Sequence, residues 1–438
     1  MTTVHDDAAL GGALIDLRNE SRQVREALSA LGRLLGAALI DPPRNLASFV
    51  AEHLDTSSAG VSVVTSVLRG IDAALVHVAV ARLLESAPDA VLTDDLGNGS
   101  PGYELVTVDV DTQVAAPDDL AAFIPAGPAF EFDTVLVLTW EHQREQIALH
   151  VRRADAERAR AALSALVERA RTTDNFYRGK TLQVTADDHS LELVPVGPST
   201  ATRADVVHSP QVWSEIDATI GGLARNGQLL AAAGLGAARG ILVAGAPGVG
   251  KTALCRVIAA ELPAETTVLL VDATTSARGL GRIYESLASL APAAVFLDDI
   301  DLLAGDRRNG TSGPTLREFL THLDGFTPAA AVVTVATTNA TETIDPALLR
   351  PGRFDSVIEI GVPGYAAREL ILRRYLRALG DFELTRVAAA TDGATGADLR
   401  EIVRRAVLER GAALTSEDLF DVAASGRWRA KGLSGQYL

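Results

Sequence analysis

The sequence has little cysteine and no long apolar run. Cys255 is the only cysteine among 438 residues, so the chain cannot form an internal disulfide and a cysteine-based metal site is not expected. No stretch of about 18 consecutive apolar residues occurs, and the N-terminus lacks the basic-then-apolar order of a secretory signal. We therefore expect a cytoplasmic protein without a membrane span.

Positive charge is also scarce, and lysine most of all. Lys and Arg together number 40 against 56 Asp and Glu, which gives a formal net charge of −16 at pH 7. Because nucleic-acid binding requires clustered cations that neutralise phosphates, we expect no nucleic-acid partner and disfavour a nucleic-acid motor. Only Lys180, Lys251 and Lys431 are lysines, so a lysine kept at a motif position in this arginine-rich chain is informative.

The length of the chain predicts more than one domain. A chain of 438 residues exceeds what one hydrophobic core organises, and 47% hydrophobic residues supply apolar material for several cores. Residues 1–95 are predicted to form a helical region. The apolar residues that recur there at helical spacing are Leu17, Val24, Leu28, Leu31 and Leu35. The repeat covers about three heptads, so a helical-bundle face and an oligomerising coiled coil both remain open.

A turn-rich stretch (DLGNGSPG) separates this region from a predicted small α+β domain at 103–196. Alternating apolar residues predict strands in this domain, and an amphipathic run predicts one helix. The strands are expected at 103–110, 134–140, 146–151, 181–185 and 190–194, and the helix at 154–171. Residues 197–203 (GPSTATR) are typical of a linker. Nothing before this linker indicates chemistry.

A glycine-rich segment (GAPGVGKT) lies between a short apolar strand and an apolar helical run. It fits the pattern G-x-x-x-x-G-K-[ST] in the strand–loop–helix context that a phosphate-binding loop requires. The glycines let backbone N–H groups curl around phosphate oxygens, and the following helix adds its positive N-terminal end. Lys251 suits the β- and γ-phosphates, and the Thr252 hydroxyl suits Mg²⁺. The predicted nucleotide-binding residues are Gly245, Ala246, Pro247, Gly248, Val249, Gly250, Lys251 and Thr252.

Polar residues follow two further apolar strands. Asp298 and Asp299 end one of them, and Asn339 follows the other. Because α/β sheets place ligand chemistry at the C-terminal ends of their strands, we predict that Asp298 holds Mg²⁺ through water. Asp299 would point at the attacking water, which Asn339 would orient. Arg350 and Arg353 flank a Pro-Gly turn and can reach the phosphates of an adjacent subunit as arginine fingers.

The order and spacing of these motifs resemble an AAA ATPase module of the classical clade, over about half of the chain. Its parts here are Walker A at 245–252, Walker B at 295–299, sensor 1 at Asn339, the arginine fingers Arg350 and Arg353, and the small pair Gly396 and Ala397 in place of a sensor-2 arginine. The resemblance implies ATP and Mg²⁺ as cofactors and ATP hydrolysis as the activity. It also implies a ring, usually a homo-hexamer, because the arginine fingers complete a neighbour's site.

The resemblance also sets the expected domains. It implies an α/β AAA+ module with a five-stranded parallel sheet at 205–362 and a helical lid at 363–428. The helical and small α+β regions precede this module, so the whole chain is expected to be multidomain. Residues 429–438 form a tail that follows the lid.

Two positions depart from the family pattern. Asp299 stands where the family has glutamate, and its side chain is one methylene shorter. Because a displacement of about 1 Å can lower a rate about a hundredfold, either hydrolysis is slow or Asp299 acts from a shifted backbone. The second departure is in the pore loop, where unfoldases of this clade carry an aromatic residue. The corresponding segment at 278–281 (RGLG) has Gly279 in its place, which argues against tight threading of a substrate.

The tail is rich in small and polar residues and is predicted to be flexible. Its last four residues, Gly435, Gln436, Tyr437 and Leu438, resemble the tail by which actinobacterial proteasomal ATPases dock on the proteasome core particle. A terminal carboxylate can pair with a lysine in an intersubunit pocket, while Tyr437 fills the apolar part of that pocket. Several weak tails on one ring would bind by multivalency.

The leading interpretation is an ATP-driven ring that docks on the proteasome core particle and remodels or delivers protein substrates. The N-terminal region would recruit those substrates or their adaptors. Two alternatives remain: a stand-alone AAA chaperone, and a nucleotide-gated scaffold ring that hydrolyses little ATP.

Overall fold

The computed structural model describes residues 27, 45–141, 144–188, 190–222, 225–226, 229, 232–233, 238–271, 275–302, 332–339, 349–350 and 353–429. The predicted heptad run and the four docking residues of the tail lie outside these described residues. The chain divides into two compact units, one of Met1–Thr107 with Gln113–Asn175 and the other of Val108–Thr112 with Phe176–Leu438. Within the described ranges, no helix combines the length and the apolar character needed to cross a membrane.

The first unit contains a six-stranded sheet in the order β1-β6-β5-β4-β2, with β3 paired to β4. Its strands are β1 (Val61–Leu68), β2 (Val91–Thr93), β3 (Gly102–Asp109), β4 (Thr112–Ile124), β5 (Thr134–Glu141) and β6 (Arg144–Arg152). Its helices within the described residues are α1 (Leu46–His53), α2 (Asp72–Glu85) and α3 (Ala156–Arg171). The predicted strands at 134–140 and 146–151 and the predicted helix at 154–171 correspond to β5, β6 and α3.

The expectation of a purely helical region up to residue 95 is wrong. β1 lies inside that range and pairs antiparallel with β6 along its whole length, from Val61 opposite Arg152 to Leu68 opposite Glu145. The β-branched content of β1 favours a strand, and the helical repeat nearer the N-terminus does not extend this far. A domain boundary at residue 95 would therefore cut one continuous sheet.

Helix α3 shows why this sheet is stable. Its buried residues Ala159, Leu163, Val167 and Ala170 recur at spacings of three and four, so they form one apolar stripe. That stripe packs on α2 and on the edge strand β1. The short helix α1 contributes Val50 to a second small core with apolar residues of β4, β5 and β6.

The second unit contains a seven-stranded sheet in the order β13-β9-β12-β11-β10-β7-β8. Its strands are β7 (Thr181–Ala186), β8 (Leu191–Val196), β9 (Ala238–Gly245), β10 (Thr267–Val271), β11 (Ala293–Leu297), β12 (Val332–Thr338) and β13 (Ser356–Ile360). Neighbouring strands are parallel, except that β7 and β8 form an antiparallel hairpin. This arrangement is the expected α/β module, but two strands wider than the expected five-stranded sheet.

The two additional strands also correct the predicted α+β domain at 103–196. β7 and β8 lie close to the predicted strands, yet β7 pairs with β10, with Leu182 opposite Leu269. The hairpin thereby covers the edge of β10, which would otherwise present unpaired backbone groups. Alternation predicted the strands correctly but could not identify their partner.

Helices cover the parallel sheet and continue into a helical lid. In the part of the second unit that the structure describes, the helices are α4 (Pro210–Ile216), α5 (Lys251–Glu261), α6 (Ala277–Leu290), α7 (Tyr365–Leu376), α8 (Thr385–Ala390), α9 (Gly396–Arg410) and α10 (Ser416–Ala424). Apolar residues of β9, β11, β12, β13 and α5 form its main core. The helices α7 to α10 enclose a separate core that is closed by Trp428, whose Nε1 donates to the Ala423 carbonyl at 2.7 Å.

Candidate nucleotide-binding site

The phosphate-binding loop leaves the C-terminal end of β9 and enters α5. Gly248 and Gly250 have φ values of 82° and 105°, which side chains with a Cβ rarely adopt. A Cβ on Gly245 would lie 2.4 Å from the Ile360 carbonyl oxygen of β13. These glycines are therefore required by the backbone path, and the loop presents N–H groups at the positive end of α5.

Lys251 lies at the first position of α5, and its residue surface is only 6% exposed. Its Nζ donates to the carbonyl oxygens of Gly245 at 2.9 Å and Ala246 at 3.1 Å, and to Asn339 Oδ1 at 2.6 Å. Burial lowers the pKa of Lys251, while the nearby carboxylates of Asp299 and Asp298 act in the opposite direction. The ammonium group is thus held at the mouth of the loop, between the loop carbonyls and the tip of β12.

Thr252 and Asp298 form an oxygen pair next to this lysine. Thr252 Oγ1 donates to Asp298 Oδ2 at 2.9 Å, and Asp298 Oδ1 accepts a short hydrogen bond from Thr337 Oγ1 at the end of β12. Hydroxyl and carboxylate oxygens are the donors that Mg²⁺ prefers. The structure therefore brings together the two predicted metal ligands, Thr252 from helix α5 and Asp298 from the end of strand β11.

Asp299 adopts an unusual backbone conformation, with a φ of 52°. Its N–H donates to Thr337 Oγ1 at 2.8 Å, and its Oδ1 accepts from Asn339 Nδ2 at 2.8 Å. Burial raises the pKa of Asp299, and the carboxylates of Asp298 and Asp301 raise it further. Asp299 is turned into the left-handed region of backbone conformation and is held there by two hydrogen bonds. Slow hydrolysis and action from a shifted backbone both stay predictions.

The lid contacts the loop through the predicted small pair. The N–H of Ala397 donates to the Gly248 carbonyl at 3.1 Å, and a Cβ on Gly396 would lie 3.3 Å from the same oxygen. Thr395 caps α9 in a reciprocal arrangement with Asp398, whose side chain accepts from the Thr395 N–H at 2.8 Å. Small residues are needed here because α9 begins directly against the phosphate loop.

The predicted arginine fingers lie at the N-terminal ends of the parallel strands, opposite the end that carries the phosphate loop. A Cβ on Gly240 would meet the Arg353 carbonyl oxygen at 2.0 Å, so Arg353 sits beside the start of β9, while the phosphate loop follows its end at Gly245. These two glycines are about 16 Å apart along a strand. The N–H of Arg353 donates to the Arg350 carbonyl at 3.1 Å, so both arginines belong to this edge. The structure does not bring either arginine to the phosphate loop of its own chain.

The residues at the C-terminal edge of the sheet fit ATP and Mg²⁺. The glycine conformations leave a cradle that a Cβ would fill, a buried ammonium group lies at its mouth, and a hydroxyl and a carboxylate lie beside it. Bound Mg²⁺ would neutralise phosphate charge, with Thr252 and Asp298 as its protein ligands. Within the described ranges, no group of three or more His, Cys, Asp or Glu residues is placed to hold a metal on its own.

The assignment of 278–281 to a pore loop is wrong. These residues form the first turns of α6. Gly279 packs closely against β7, because a Cβ on it would lie 2.6 Å from the Ala186 carbonyl oxygen. Ser276 caps the helix, its Oγ accepting from the Gly279 N–H at 3.0 Å. Ser276 also donates to Asp188 in the β7–β8 turn at 2.9 Å. The added hairpin therefore explains the glycine, which sequence alone interpreted as a missing aromatic residue.

Two further residues of the site were not predicted from the sequence. Thr337 bridges the Asp298 carboxylate and the Asp299 N–H, and Asp301 Oδ1 accepts from the Asn339 N–H at 3.2 Å. Thr337 is two residues before sensor 1 at a strand end, which is the signal that could have identified it. Asp301 carried no comparable signal.

Comparison with known proteins defines the class. Residues 241–362 match the family model described as ATPase family associated with various cellular activities (AAA). The proteasome-activating nucleotidase of Pyrococcus furiosus is 32% identical over 273 residues, which cover 54% of this chain and 68% of that relative. The chain belongs to the AAA family of ATPases.

Other relatives share a shorter part of their length. The ATP-dependent zinc metalloprotease FtsH 4 of Sphaerobacter thermophilus is 37% identical over 224 residues, covering 47% of this chain and 34% of the relative. The FtsH of Acidothermus cellulolyticus is 39% identical over 209 residues, covering 42% of this chain and 31% of the relative. The chain thus spans about a third of the length of these two proteins.

Proposed function

We propose that this AAA ATPase works as a homo-oligomeric ring, with ATP and Mg²⁺ bound between adjacent subunits. The position of Arg353 carries this proposal. It lies at the N-terminal edge of the sheet, whereas Lys251, Thr252 and Asp298 lie at the C-terminal edge. An arginine far from its own phosphate loop can act on the phosphates of a neighbouring copy, and repeated head-to-tail contacts of this kind form a ring when the rotation between copies closes. A hexamer is the expected size.

We further propose that the ring docks on the proteasome core particle through Gly435, Gln436, Tyr437 and Leu438 and delivers or remodels protein substrates there. Two observations support this step: the sequence of the tail, and a relative named as a proteasome-activating nucleotidase that is matched over 68% of its length. The first unit, with its own sheet, would recruit substrates or adaptors. The proposal places the ring in the cytoplasm, in keeping with a chain whose single cysteine cannot form an internal disulfide.

The test compares the full chain with a variant lacking residues 435–438. Both are mixed with purified proteasome core particle, with and without ATP, and association and peptide hydrolysis by the core are measured. We expect ATP-dependent association and faster peptide hydrolysis with the full chain, and neither with the shortened chain. A single Tyr437→Ala variant is the finer control, because it removes the aromatic side chain and keeps the length of the chain and its terminal carboxylate.

A stand-alone AAA chaperone is the alternative if the full chain neither binds nor opens the core while it hydrolyses ATP normally.

The positions of β7 and β8 bear on how either the proteasome-docking ring or the stand-alone chaperone would handle substrate. Because the hairpin turn holds the start of α6 through Asp188 and Ser276, the start of this helix is a fixed element. We therefore propose that residues 278–281 do not hold the substrate while it is remodelled.

A nucleotide-gated scaffold ring is a second candidate, and it is favoured by one observation. Asp299 has a side chain one methylene shorter than the glutamate of the family pattern, and its Oδ1 accepts a hydrogen bond from Asn339 Nδ2 at 2.8 Å. The shorter side chain places the carboxylate farther from a water molecule at the γ-phosphate, and such a displacement slows proton transfer. ATP-dependent assembly with very slow turnover that Asp299→Asn leaves unchanged would support this function over remodelling.

A further inference from the structure

His208 is a polar side chain beside the phosphate loop that none of the assigned motifs includes. It precedes α4, and its ring contacts Trp213 of that helix edge-on, with centroids 6.2 Å apart. A Cβ placed on Gly250 would lie 3.5 Å from His208 Cε1 and 3.7 Å from His208 Nε2. The Cε1–Nε2 edge of the imidazole therefore faces the residue that caps the phosphate-binding helix.

The Nε2 atom of His208 is buried, and among the described residues it has no hydrogen-bond partner. Buried polar atoms in folded proteins are nearly always paired, because an unpaired one loses its bonds to water without replacement. A nitrogen in this position beside a ligand-binding loop is the kind of group that a ligand satisfies. Burial also lowers the pKa of His208, so the ring is neutral at neutral pH and can either donate or accept one hydrogen bond at Nε2.

The surroundings of the loop indicate which part of a nucleotide His208 meets. Asn339, Lys251 and the Thr252–Asp298 pair mark the side where the terminal phosphates and Mg²⁺ belong. His208 contacts the loop at Gly250, and the lid contacts it at Gly248. Neither contact supplies a positive charge, which a phosphate would favour. A neutral ring with one free nitrogen suits a ribose hydroxyl or a base nitrogen.

We propose that His208 Nε2 hydrogen-bonds the nucleoside part of the bound adenine nucleotide and thereby contributes to nucleotide affinity and selectivity. This inference rests on the proposed nucleotide site at 245–252. The residue lies in the segment before α4, so binding of the nucleoside would also fix that segment against the loop.

The test measures binding of ATP, ADP and inorganic tripolyphosphate to the full chain by titration calorimetry. His208→Phe keeps a ring and removes the nitrogen, and His208→Gln restores a polar group at similar reach. We expect ATP and ADP to bind about tenfold more weakly to His208→Phe, with most of the loss recovered in His208→Gln. Tripolyphosphate should bind both variants and the wild type within twofold.

Controls separate this inference from the site itself. Lys251→Ala should abolish binding of ATP and tripolyphosphate alike; if the wild type binds neither, the nucleotide site fails and not only His208. His53→Phe is the matched control, because it replaces a half-buried histidine of the first unit and should leave all affinities unchanged. His208→Met is a second apolar variant should His208→Phe not fold. Unchanged ATP affinity in the folded apolar variant would overturn the proposal, as would equal losses for ATP and tripolyphosphate.

Discussion

Asn339 donates from Nδ2 to Asp299 Oδ1 at 2.8 Å, while its Oδ1 accepts from Lys251 Nζ at 2.6 Å. One side-chain amide therefore links Lys251, the proposed phosphate-binding cation, to Asp299, the acid proposed to face the attacking water. Asn339 is itself fixed by its N–H, which donates to Asp301. With ATP bound as proposed, this link would couple the state of the γ-phosphate to the position of Asp299.

Replacing Asn339 should impair hydrolysis more than binding. In Asn339→Ala, Asp299 loses the donor that orients it, so we expect kcat to fall about a hundredfold. The Kd for ATP should change by less than about threefold, because Lys251 keeps its loop contacts and its charge. Asn339→Asp keeps the shape but places a carboxylate against Asp299, and it should be at least as impaired. Near-normal turnover in Asn339→Asp would contradict the assigned link.

Asp299→Asn tests the acid without disturbing its backbone. Asparagine tolerates the left-handed conformation at a φ of 52°, whereas alanine would add a backbone cost of its own. We expect steady-state ATP hydrolysis to fall by about a hundredfold or more and ATP binding to be retained. Turnover that equals the wild type would show that Asp299 is not the base and would favour the scaffold ring.

Mixing two inactive variants tests whether Arg353 acts on a neighbouring subunit. Arg353→Ala has an intact phosphate site and no finger, and Asp299→Asn has the reverse. Each alone should be nearly inactive, but an equal mixture should regain about a quarter of the wild-type rate when subunits assort at random in head-to-tail contacts. The control is a mixture of Arg353→Ala with the double variant, which contains no intact finger and should show no recovery. Recovery there, or none in the first mixture, would refute the shared site.

The sequence indicated which residues lie together at the candidate site better than it indicated the fold around them. Gly245–Thr252, Asp298 and Asn339 were identifiable because a local pattern and a strand end define each of them. The β7–β8 hairpin was predicted as two strands, but its partner β10 is about 85 residues away, and alternation contains no information on such pairing. His208 and Thr337 escaped notice because a single polar residue outside a motif becomes informative only when its neighbours are known.

Gly279 provides a test of whether residues 278–281 belong to helix α6 and pack against β7. A Cβ there would lie 2.6 Å from the Ala186 carbonyl oxygen and 2.9 Å from its Cβ, so Gly279→Ala must separate α6 from β7. We expect the free energy of unfolding to fall by about 1–3 kcal/mol, and more for Gly279→Tyr. Gly361→Ala is the matched control, because nothing lies within 4 Å of a Cβ at that position. Thermal unfolding of the three variants decides the matter; an unaffected Gly279→Tyr protein would show that 278–281 is an open loop after all.

Because of His77 of α2, the first unit should lose stability as the pH becomes alkaline. The residue is 1% exposed, and its Nδ1 and Nε2 each lie 2.9 Å from a glutamate oxygen, of Glu104 and Glu145 respectively. Burial alone would lower the pKa of His77, but its hydrogen bond with Glu104 and the ion pairs with both glutamates outweigh it and raise the pKa to about 9. The imidazolium is therefore the native form at neutral pH, held between strands β3 and β6.

A pKa that is raised above the unfolded value of 6.5 contributes stability that is complete below pH 6.5 and is lost as pH rises through about 9. The loss amounts to about 3 kcal/mol at most. We expect the difference in free energy of unfolding between the wild type and His77→Gln to shrink by that order between pH 6.5 and 9.5, as measured by urea denaturation. His150, whose pKa burial lowers to about 4, titrates below this window and does not confuse the comparison. A difference that is constant with pH would mean that His77 is neutral in the folded protein.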